Sequence, residues 1–388
     1  MNGNPDKKKR GMRRLIGIAG SFLSLVVLIY IAVMLISGRQ SELFRFFRPS
    51  SDRGPVVMAD EYHFDVGSNR AFASLNGSIA AAGSLGIQVL DAGGNETLRD
   101  SFRMSEPVIR VQEGRAVAFD IGGTGLRVFS GTESIASIDA EGAVISASIN
   151  RNGWVAVCSQ QEPDTSKGVV TVYNNRGTAV YRVTMAMTSG YVLSAELSPD
   201  NKSLAILNIT DNGSSIKFFN LNSEEAIRAF ELPDRLLLGI RYLADGNVLA
   251  ISTQSLLVVD KNNESGLYYM FTDRRLGGFV FDDGFITLYL LDYGVGHRGR
   301  LVTLGEDGSI LGEIETDREI VSLSSNGELL NVLRSDGVVF YNTSLEELRT
   351  AATSASVAGA TMVLTLSDGY ALAAGDHSAV VVKLATDD

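Results

Sequence analysis

The feature that most constrains this chain is a turn dipeptide that recurs eight times beyond residue 55, each time just before a short apolar run. The eight dipeptides are Asn76-Gly77, Glu113-Gly114, Asn152-Gly153, Asp200-Asn201, Asp245-Gly246, Asp283-Gly284, Asn326-Gly327 and Asp368-Gly369. Their spacing varies from 37 to 48 residues, with a mean near 42. Asn-Gly and Asp-Gly suit tight hairpins because such turns need positive φ, where most side chains clash. A fixed period of this length is the signature of a repeat architecture.

A second mark follows each turn by about ten to twenty residues: an apolar strand that usually ends in a polar turn residue. In chain order these strands are IQVLD, LRVFS, VTVYN, IKFFN, LLVVD, LVTLG, VVFYN and VVVKL. Each period also has room for a fourth strand, as at 179–185, 226–232 and 309–315. Only residues 223–230 and 343–350 show a competing helical pattern. The chain beyond residue 55 is therefore predicted to be all-β.

Four strands in about 42 residues, repeated radially, predict a β-propeller, and the number of repeats predicts eight blades. Seven blades is the alternative, because Glu113-Gly114 is the poorest match among the turns. The last repeat, 357–384, has three strands, and residues 56–66 form an extra strand before the first repeat. We expect these two segments to pair, since that closes the ring and removes an exposed sheet edge.

The first 55 residues have a different composition. Residues 15–36, which begin at Leu15 and end at Ile36, contain no charge and are long enough for a helix that crosses a bilayer. Six basic residues and one acid precede them, so the positive-inside rule predicts a cytoplasmic N-terminus and an external propeller. The predicted organisation is a basic tail (1–14), a transmembrane signal anchor (15–36), a juxtamembrane linker (37–55) and the propeller (56–388).

Other interpretations of this N-terminal part remain open. A cleaved signal peptide has a similar pattern, although the apolar run is longer than a typical signal core and no small-x-small site follows it. A buried core helix fits less well, because the run has no polar face. The aromatic and basic cluster at 43–48 is interpreted either as an interfacial collar or as a helix end with a linker.

The segments LSPDN (197–201) and YLADG (242–246) resemble the turn after the first strand in the superfamily of WD-repeat, surface-layer and quinoprotein-like propellers. With its basic tail and single anchor, the chain resembles uncharacterised single-pass membrane-anchored β-propeller proteins of Gram-positive bacteria. That resemblance implies fold and localisation, and it transfers no functional residues. The chain lacks the Trp-Asp and Gly-His signatures of WD repeats, and its one tryptophan argues against a pyrroloquinoline quinone enzyme.

Composition and charge exclude several functions. One cysteine and three scattered histidines provide no metal-ligand spacing and no disulfide, and we predict neither a metal nor a cofactor. From residue 56 onward, 24 basic residues face 42 acidic ones, a net charge of about −18. Such a domain repels phosphates, so nucleic acid is not an expected partner. Trp154 and Cys158 alternate onto one face of a predicted strand and are expected in the core.

Few residues stand out as candidates for a site. The Gly-rich loop 294–299 is longer than its counterparts, and Tyr293, His297 and Arg298 in and beside it are candidate contact residues. The predicted innermost strands are mostly apolar or small, and their ionisable exceptions are Arg110, Glu196 and Arg241. Asp282, Asp283 and Asp292 flank one strand and are interpreted as turn formers.

Three classes of function follow from this pattern. The first is a noncatalytic extracytoplasmic scaffold, tethered to the membrane, that binds a protein, peptide or envelope polymer through propeller loops or the central channel. The second is a propeller enzyme acting on envelope glycan or a small ester or lactone, which requires convergent ionisable groups on the axis. The third is a ligand-sensing subunit, although a 14-residue tail has no room for an output domain. The sequence favours the first, and it does not indicate an oligomeric state.

Overall fold

The computed structural model describes residues 57–160, 166–223, 225–260, 265–282, 284–294, 296–352, 359–366, 369–375 and 379–383. Within these ranges the chain forms eight four-stranded antiparallel sheets, and each sheet is one blade of a propeller. The predicted eight-bladed all-β fold is confirmed. The seven-bladed alternative is wrong, because the second repeat forms a complete blade.

Blades 1 to 7 each consist of four consecutive strands. Blade 1 has β2 (Ala71–Leu75), β3 (Ser78–Gly83), β4 (Gly86–Leu90) and β5 (Glu96–Ser101), and blade 2 has β6 (Pro107–Gln112), β7 (Arg115–Asp120), β8 (Gly125–Ser130) and β9 (Ser134–Asp139). Blade 3 has β10 (Ala143–Ile149), β11 (Val155–Gln160), β12 (Val169–Tyr173) and β13 (Ala179–Thr184), and a 3-10 helix (Met187–Ser189) follows it. Blade 4 has β14 (Tyr191–Leu197), β15 (Ser203–Thr210), β16 (Gly213–Asn220) and β17 (Ala226–Pro233). Blade 5 has β18 (Leu237–Tyr242), β19 (Val248–Ser252), β20 (Ser255–Val259) and β21 (Ser265–Met270).

Blade 6 has β22 (Arg274–Phe281), β23 (Phe285–Asp292), β24 (Gly299–Gly305) and β25 (Ile310–Thr316), and blade 7 has β26 (Ile320–Ser325), β27 (Leu329–Arg334), β28 (Gly337–Asn342) and β29 (Glu347–Ala352). Blade 8 combines β30 (Met362–Thr365), β31 (Tyr370–Ala374) and β32 (Ala379–Lys383) with the first strand of the chain, β1 (Val57–Glu61). The eight apolar strands that mark the repeat are the third strands of their blades. The two helical patterns are strands instead, β17 and β29, because tertiary packing outweighs local helix periodicity.

The hairpin between the first and second strands is not the same in every blade. Asn76 and Gly77 both have positive φ, at 49° and 83°, and so do Glu113 and Gly114, at 44° and 76°. Positive φ at both central residues is the requirement of a type I′ turn. Glu113-Gly114 therefore makes the same turn as Asn76-Gly77, despite its poorer sequence match. In blade 3 the turn is longer, with positive φ at Gly153 and a backbone hydrogen bond from Asn150 to Trp154.

The core is divided among the blade interfaces. Eight hydrophobic clusters of described residues lie between neighbouring blades, one for each pair around the ring. Alternation in the second strands explains this division: Ala80 and Ala82 of β3 face blade 2, while Ala81 between them faces blade 8. Each sheet thus buries both faces, which is why its second and third strands are apolar at successive positions.

The first strand of the chain joins the last blade. β1 pairs antiparallel with β32, with Val57 opposite Lys383 and Met58 opposite Val382. The segment that follows packs Phe64 and Val66 into the cluster between blades 8 and 1, where both side chains are buried. The observed strand ends at Glu61, so residues 62–66 of the predicted segment are a connection rather than a strand.

Gly83, at the end of β3, allows the chain after β1 to pass close to blade 1. A Cβ added there would overlap the carbonyl oxygen of Val66 and lie 2.9 Å from its carbonyl carbon. Backbone atoms cannot shift as easily as the end of a side chain. Gly83→Ala is therefore expected to lower the free energy of unfolding by about 1–3 kcal/mol, measured by urea denaturation. Gly239→Ala is the matched control, because a Cβ in that strand meets Ile251 at an ordinary 3.7 Å and the effect should stay within about 0.5 kcal/mol. Equal losses in the two variants would contradict this account.

The predicted tail, anchor and linker lie outside the described residues. In the part of the chain that the structure describes, no helix has the length and apolar character needed to cross a membrane.

Candidate functional site

The innermost strand of each blade lines a channel along the propeller axis. These strands are β2, β6, β10, β14, β18, β22, β26 and β30, and all run toward the face where hairpins join first to second strands. We call this face the turn face. Near their turn-face ends, β6 contributes Arg110 and Gln112, β14 contributes Glu196 and β18 contributes Arg241. We call these four residues the axial cluster.

Arg241 links two blades that are not neighbours. Its Nη1 donates to the carbonyl oxygen of Phe281 at 2.9 Å, and its Nη2 donates to Oε1 of Gln112 at 3.3 Å. Phe281 lies in blade 6, next to blade 5, whereas Gln112 lies in blade 2, three blades away. A side-chain hydrogen bond between these positions therefore spans the channel. It holds the guanidinium in one orientation near the axis.

Glu196 is enclosed by protein, with partial access to the channel. Burial raises the pKa of its carboxyl group from the ordinary 4.5 to about 7, although Arg241 and Arg110 oppose the shift. Desolvation of the charged form thus exceeds the attraction of two nearby cations. Among the described residues the Glu196 carboxyl accepts no hydrogen bond and forms no ion pair within 4 Å.

Arg110 makes fewer hydrogen bonds than Arg241, the other arginine of the axial cluster. Its Nη1 donates to the carbonyl oxygen of Ile109 at 3.2 Å, and none of its other N–H groups meets an acceptor in the described ranges. Desolvation lowers the pKa of its guanidinium, with Glu196 opposing the shift. The Arg110 side chain is nevertheless exposed in the channel, where solvent can reach its N–H groups.

Three cavities adjoin the axial cluster. One of about 210 Å³ is lined by all four of its residues together with serines of β10 and β14. A second, of about 230 Å³, lies closer to the turn face and includes Gln112, Glu196 and Arg241. A third, of about 510 Å³, opens at the turn face, and its lining includes Gln112, Arg241, Ser74, Asn326 and Thr365. All three linings include Gln112 and Arg241, and those of the second and third also include the carboxylates Glu113 and Asp282.

The channel wall is fixed by hydroxyl groups that connect adjacent innermost strands. Ser146 and Ser148 of β10 donate to the carbonyl oxygens of Leu193 and Ala195 of β14, at 2.9 and 2.7 Å. A similar pattern joins β26 to β30, where Ser324 accepts from the backbone N–H of Thr365 at 2.8 Å. These bonds satisfy backbone groups that sheet pairing leaves open at the blade edges. Small polar residues on the innermost strands are thus explained by blade attachment.

The sequence candidates Tyr293, His297 and Arg298 lie far from this cluster. They belong to the loop between β23 and β24, which is on the face opposite the turn face. Tyr293 is 69% exposed, His297 lies 3.9 Å from Glu319, and Arg298 lies 3.7 Å from Asp292. All three are solvent-exposed, and none lines the axial cavities.

Other residues singled out from the sequence have structural positions. The backbone N–H of Gly327 donates to Asp282, which thereby joins the turns of blades 6 and 7, while Asp292 pairs with Arg274 at 2.9 Å. Asp283 lies outside the described residues. Cys158 is fully buried and burial raises the pKa of its thiol to about 12, so it is an unreactive core residue. No group of three potential metal ligands occurs within the described ranges.

From the sequence, Arg110, Glu196 and Arg241 are identified only as ionisable exceptions on innermost strands that are otherwise mostly apolar or small. Placing them together requires knowing that all innermost strands run the same way and converge on one axis. The sequence does contain one signal for this placement. Each of the three residues lies within three positions of the C-terminal end of its strand, so all three occupy the same end of the repeat.

These features define a closed eight-bladed β-propeller with a polar cluster in its axial channel. The chain belongs to a family of unknown function, DUF5711, whose model matches residues 55–347. No curated protein shows a significant match.

Solved structures share the fold. One is BamB from Moraxella catarrhalis, which is 16% identical, with a TM-score of 0.53, and the match covers 85% of this chain and 100% of that one. Another is the C-terminal WD40 domain of Sif2, at 12% identity and a TM-score of 0.61, with 86% of this chain and 100% of that one covered. At these identities the likeness shows the propeller architecture alone.

Proposed function

We propose that this protein is a noncatalytic binding module that takes its ligand at the turn-face end of the axial channel. The observation that supports this most is the convergence of Arg110, Glu196 and Arg241, from blades 2, 4 and 5, beside cavities that share lining residues. Side chains from separate blades meet there only because the ring closes, so the site is a property of the whole fold. Arg241 is held by two hydrogen bonds before any ligand arrives, which reduces the entropy lost on binding.

The axial cluster is better suited to binding a ligand than to transferring a proton. A guanidinium is not deprotonated at physiological pH, and the charges of two such groups, Arg110 and Arg241, act on the carboxyl group of Glu196. The noncatalytic assignment rests on this arrangement and would be abandoned if turnover of a substrate depended on Glu196.

We further propose that residues 15–36 tether the propeller outside the cytoplasmic membrane, with residues 1–14 inside. The uncharged 22-residue run and the basic residues before it support this topology. Protease added to intact spheroplasts should then degrade the propeller, and degradation only after lysis would refute the external location.

The binding site is tested by photo-crosslinking in cells that express the full chain. A photoreactive amino acid replaces Glu113, which lines both outer cavities. Parallel variants carry it at Tyr293, in the loop on the opposite face, and at Arg176, in the exposed turn between β12 and β13 at the outer edge of blade 3. We expect adducts at Glu113 and none at Arg176. Adducts at Tyr293 alone, or none at any position, would refute a site at the turn-face end of the channel.

A further inference from the structure

The charged side chains around the channel cavities balance one another. Among the described residues, the three cavities are lined by the carboxyl groups of Glu113, Glu196, Asp282 and Glu306 and by the guanidinium groups of Arg110, Arg151 and Arg241. Glu113 lies 3.2 Å from Arg151, and the backbone N–H of Gly327 donates to Asp282. Because the pKa of Glu196 is about 7, its carboxyl group is only partly ionised at neutral pH. The lining therefore has a net charge close to zero, and it selects neither an anion nor a cation.

The second and third cavities, of about 230 and 510 Å³, hold donors and acceptors side by side, and we call them the turn-face cavities. The guanidinium group of Arg241 lines both, together with the carboxylates of Glu113 and Asp282. A guanidinium only donates hydrogen bonds and a carboxylate only accepts them, whereas a hydroxyl group does both. An uncharged molecule with several hydroxyl groups can therefore bond either kind of side chain without bringing an unpaired charge into the site.

Three uncharged polar side chains of the third cavity have no hydrogen-bond partner among the described residues. They are the hydroxyl groups of Ser74 and Ser325 and the amide of Asn76. The hydroxyl oxygen of Ser325 is also buried, and a buried oxygen without a hydrogen bond is unfavourable. Hydroxyl groups of a ligand would supply partners to all three side chains. This second observation indicates the same kind of ligand as the balance of charge does.

The volume and the apolar part of the lining limit the ligand further. The third cavity lies within the roughly 300–1,000 Å³ that is typical of small-molecule pockets. Phe281 lines both turn-face cavities, and Val111 and Leu364 line the third. A sugar ring presents apolar C–H groups on its faces and hydroxyl groups around its edge, so it matches a lining of both kinds. The space admits a small saccharide or the end of a longer one.

We infer that the turn-face cavities bind an uncharged saccharide, whose hydroxyl groups bond the carboxylate, amide and hydroxyl side chains of the lining. This inference rests on the proposed function and deepens it by naming the chemical class of the ligand. A free sugar and the end of an envelope polysaccharide share this chemistry, and probes of different length distinguish the two sources.

The experiment is a ligand-observed NMR titration of the purified full chain with sugars that share a ring and differ in charge. Glucose and N-acetylglucosamine are the neutral probes, glucuronate is the anionic probe and glucosamine is the cationic probe. We expect at least one neutral probe to bind in the millimolar range or better, and at least about ten-fold more tightly than either charged probe. Tighter binding of a charged probe, or no binding of either neutral probe in the millimolar range, would overturn the inference.

Longer probes identify the source of the saccharide. Cellotriose and triacetylchitotriose repeat the two neutral rings in a short chain. An affinity that increases from the single ring to the chain indicates the end of a polysaccharide, and an equal or lower affinity indicates a free sugar.

Variants locate the binding in the turn-face cavities. Ser74→Ala removes a hydroxyl group that bonds no other described residue, and it should weaken binding of the neutral probe by at least about five-fold. Ser137→Ala makes the same change at an exposed position of the outer strand β9 and should leave the affinity unchanged. Glu113→Gln removes the carboxylate beside Arg151, so the lining becomes positive and glucuronate should gain at least about ten-fold relative to the neutral probe. Sugar binding that neither Ser74→Ala nor Glu113→Gln alters lies elsewhere, and this inference is then wrong.

Two comparisons keep the outcome decisive. If a variant does not fold, the preference of the wild-type chain for neutral over charged probes still tests the inference. Crosslinks at Glu113 without binding of a neutral sugar would contradict this inference and leave the proposed function standing, whereas the absence of crosslinks at Glu113 would contradict both.

Discussion

Deleting residues 56–66 from the full chain is expected to remove the cooperative unfolding of the intact ring and to lower its stability by at least about 5 kcal/mol. The deletion removes β1, so β32 loses its antiparallel partner and becomes an open edge. It also removes Phe64 and Val66 from the cluster between blades 8 and 1. Truncating one buried phenylalanine alone typically costs about 3–5 kcal/mol. Scanning calorimetry of the purified protein measures the transition.

Two point variants check that the effect arises from ring closure. Phe64→Ala keeps β1 and should give a partial loss of about 3–5 kcal/mol, because Phe64 is 5% exposed and contacts the Phe72 ring edge-on at 5.1 Å between centroids. Tyr293→Ala removes an aromatic ring that is 69% exposed and should leave the transition where it is. A deletion variant that melts like the wild type would show that blade 8 is complete without β1.

The second large effect is the pH dependence of stability caused by Glu196. Its pKa is raised from 4.5 to about 7 in the folded state, so the unfolded chain ionises this group first as pH rises. The contribution of Glu196 to the free energy of unfolding is therefore fully present below about pH 4.5, and it is lost as pH rises through about 7. The unfolding free energy of the wild type, relative to Glu196→Gln, should therefore decrease by about 2–4 kcal/mol between acidic and alkaline pH. Partial access of the side chain to channel water favours the lower end of that range.

Urea denaturation of the two proteins across this pH range measures the difference, and every other titrating group cancels between them. The glutamine keeps the shape of the protonated carboxyl. Glu113→Gln is the control, since it makes the same substitution in an exposed ion pair with Arg151. A flat difference for Glu196→Gln would mean that Glu196 is as well solvated when folded as when unfolded.

The propeller was predictable because its periodicity has a local physical cause. Hairpins such as Asn76-Gly77 need residues that tolerate positive φ, and third strands buried on both faces need apolar runs such as Val338 to Tyr341. Both demands repeat once in every blade. Glu113 shows the limit of this reasoning: it has φ of 44° without being Asn, Asp or Gly, since the neighbouring strands impose the turn. At this position the residue type predicts a tight turn only weakly, although the fold requires one.

The candidate site was less predictable, because its members are distant in sequence. Arg241 and Gln112 are 129 residues apart, and their contact depends on which blades face each other across the axis. Residue type alone drew attention to the loop containing His297, which the structure places on the other face. The pKa of Glu196 likewise depends on enclosure by several blades, which no window of sequence reports.

The pairing of β1 with β32 has a consequence for how the molecule assembles. Strands 2 to 31 make their hydrogen bonds with neighbours in the chain, but the last sheet must bring together segments more than 300 residues apart. Joining such distant segments costs an entropy of about 5 kcal/mol, which no local hairpin has to overcome. Blades 1 to 7 can therefore form as a curved ribbon before the ring exists. Blade 8 is the expected final step of folding, and hydrogen exchange should find its strands the first to open.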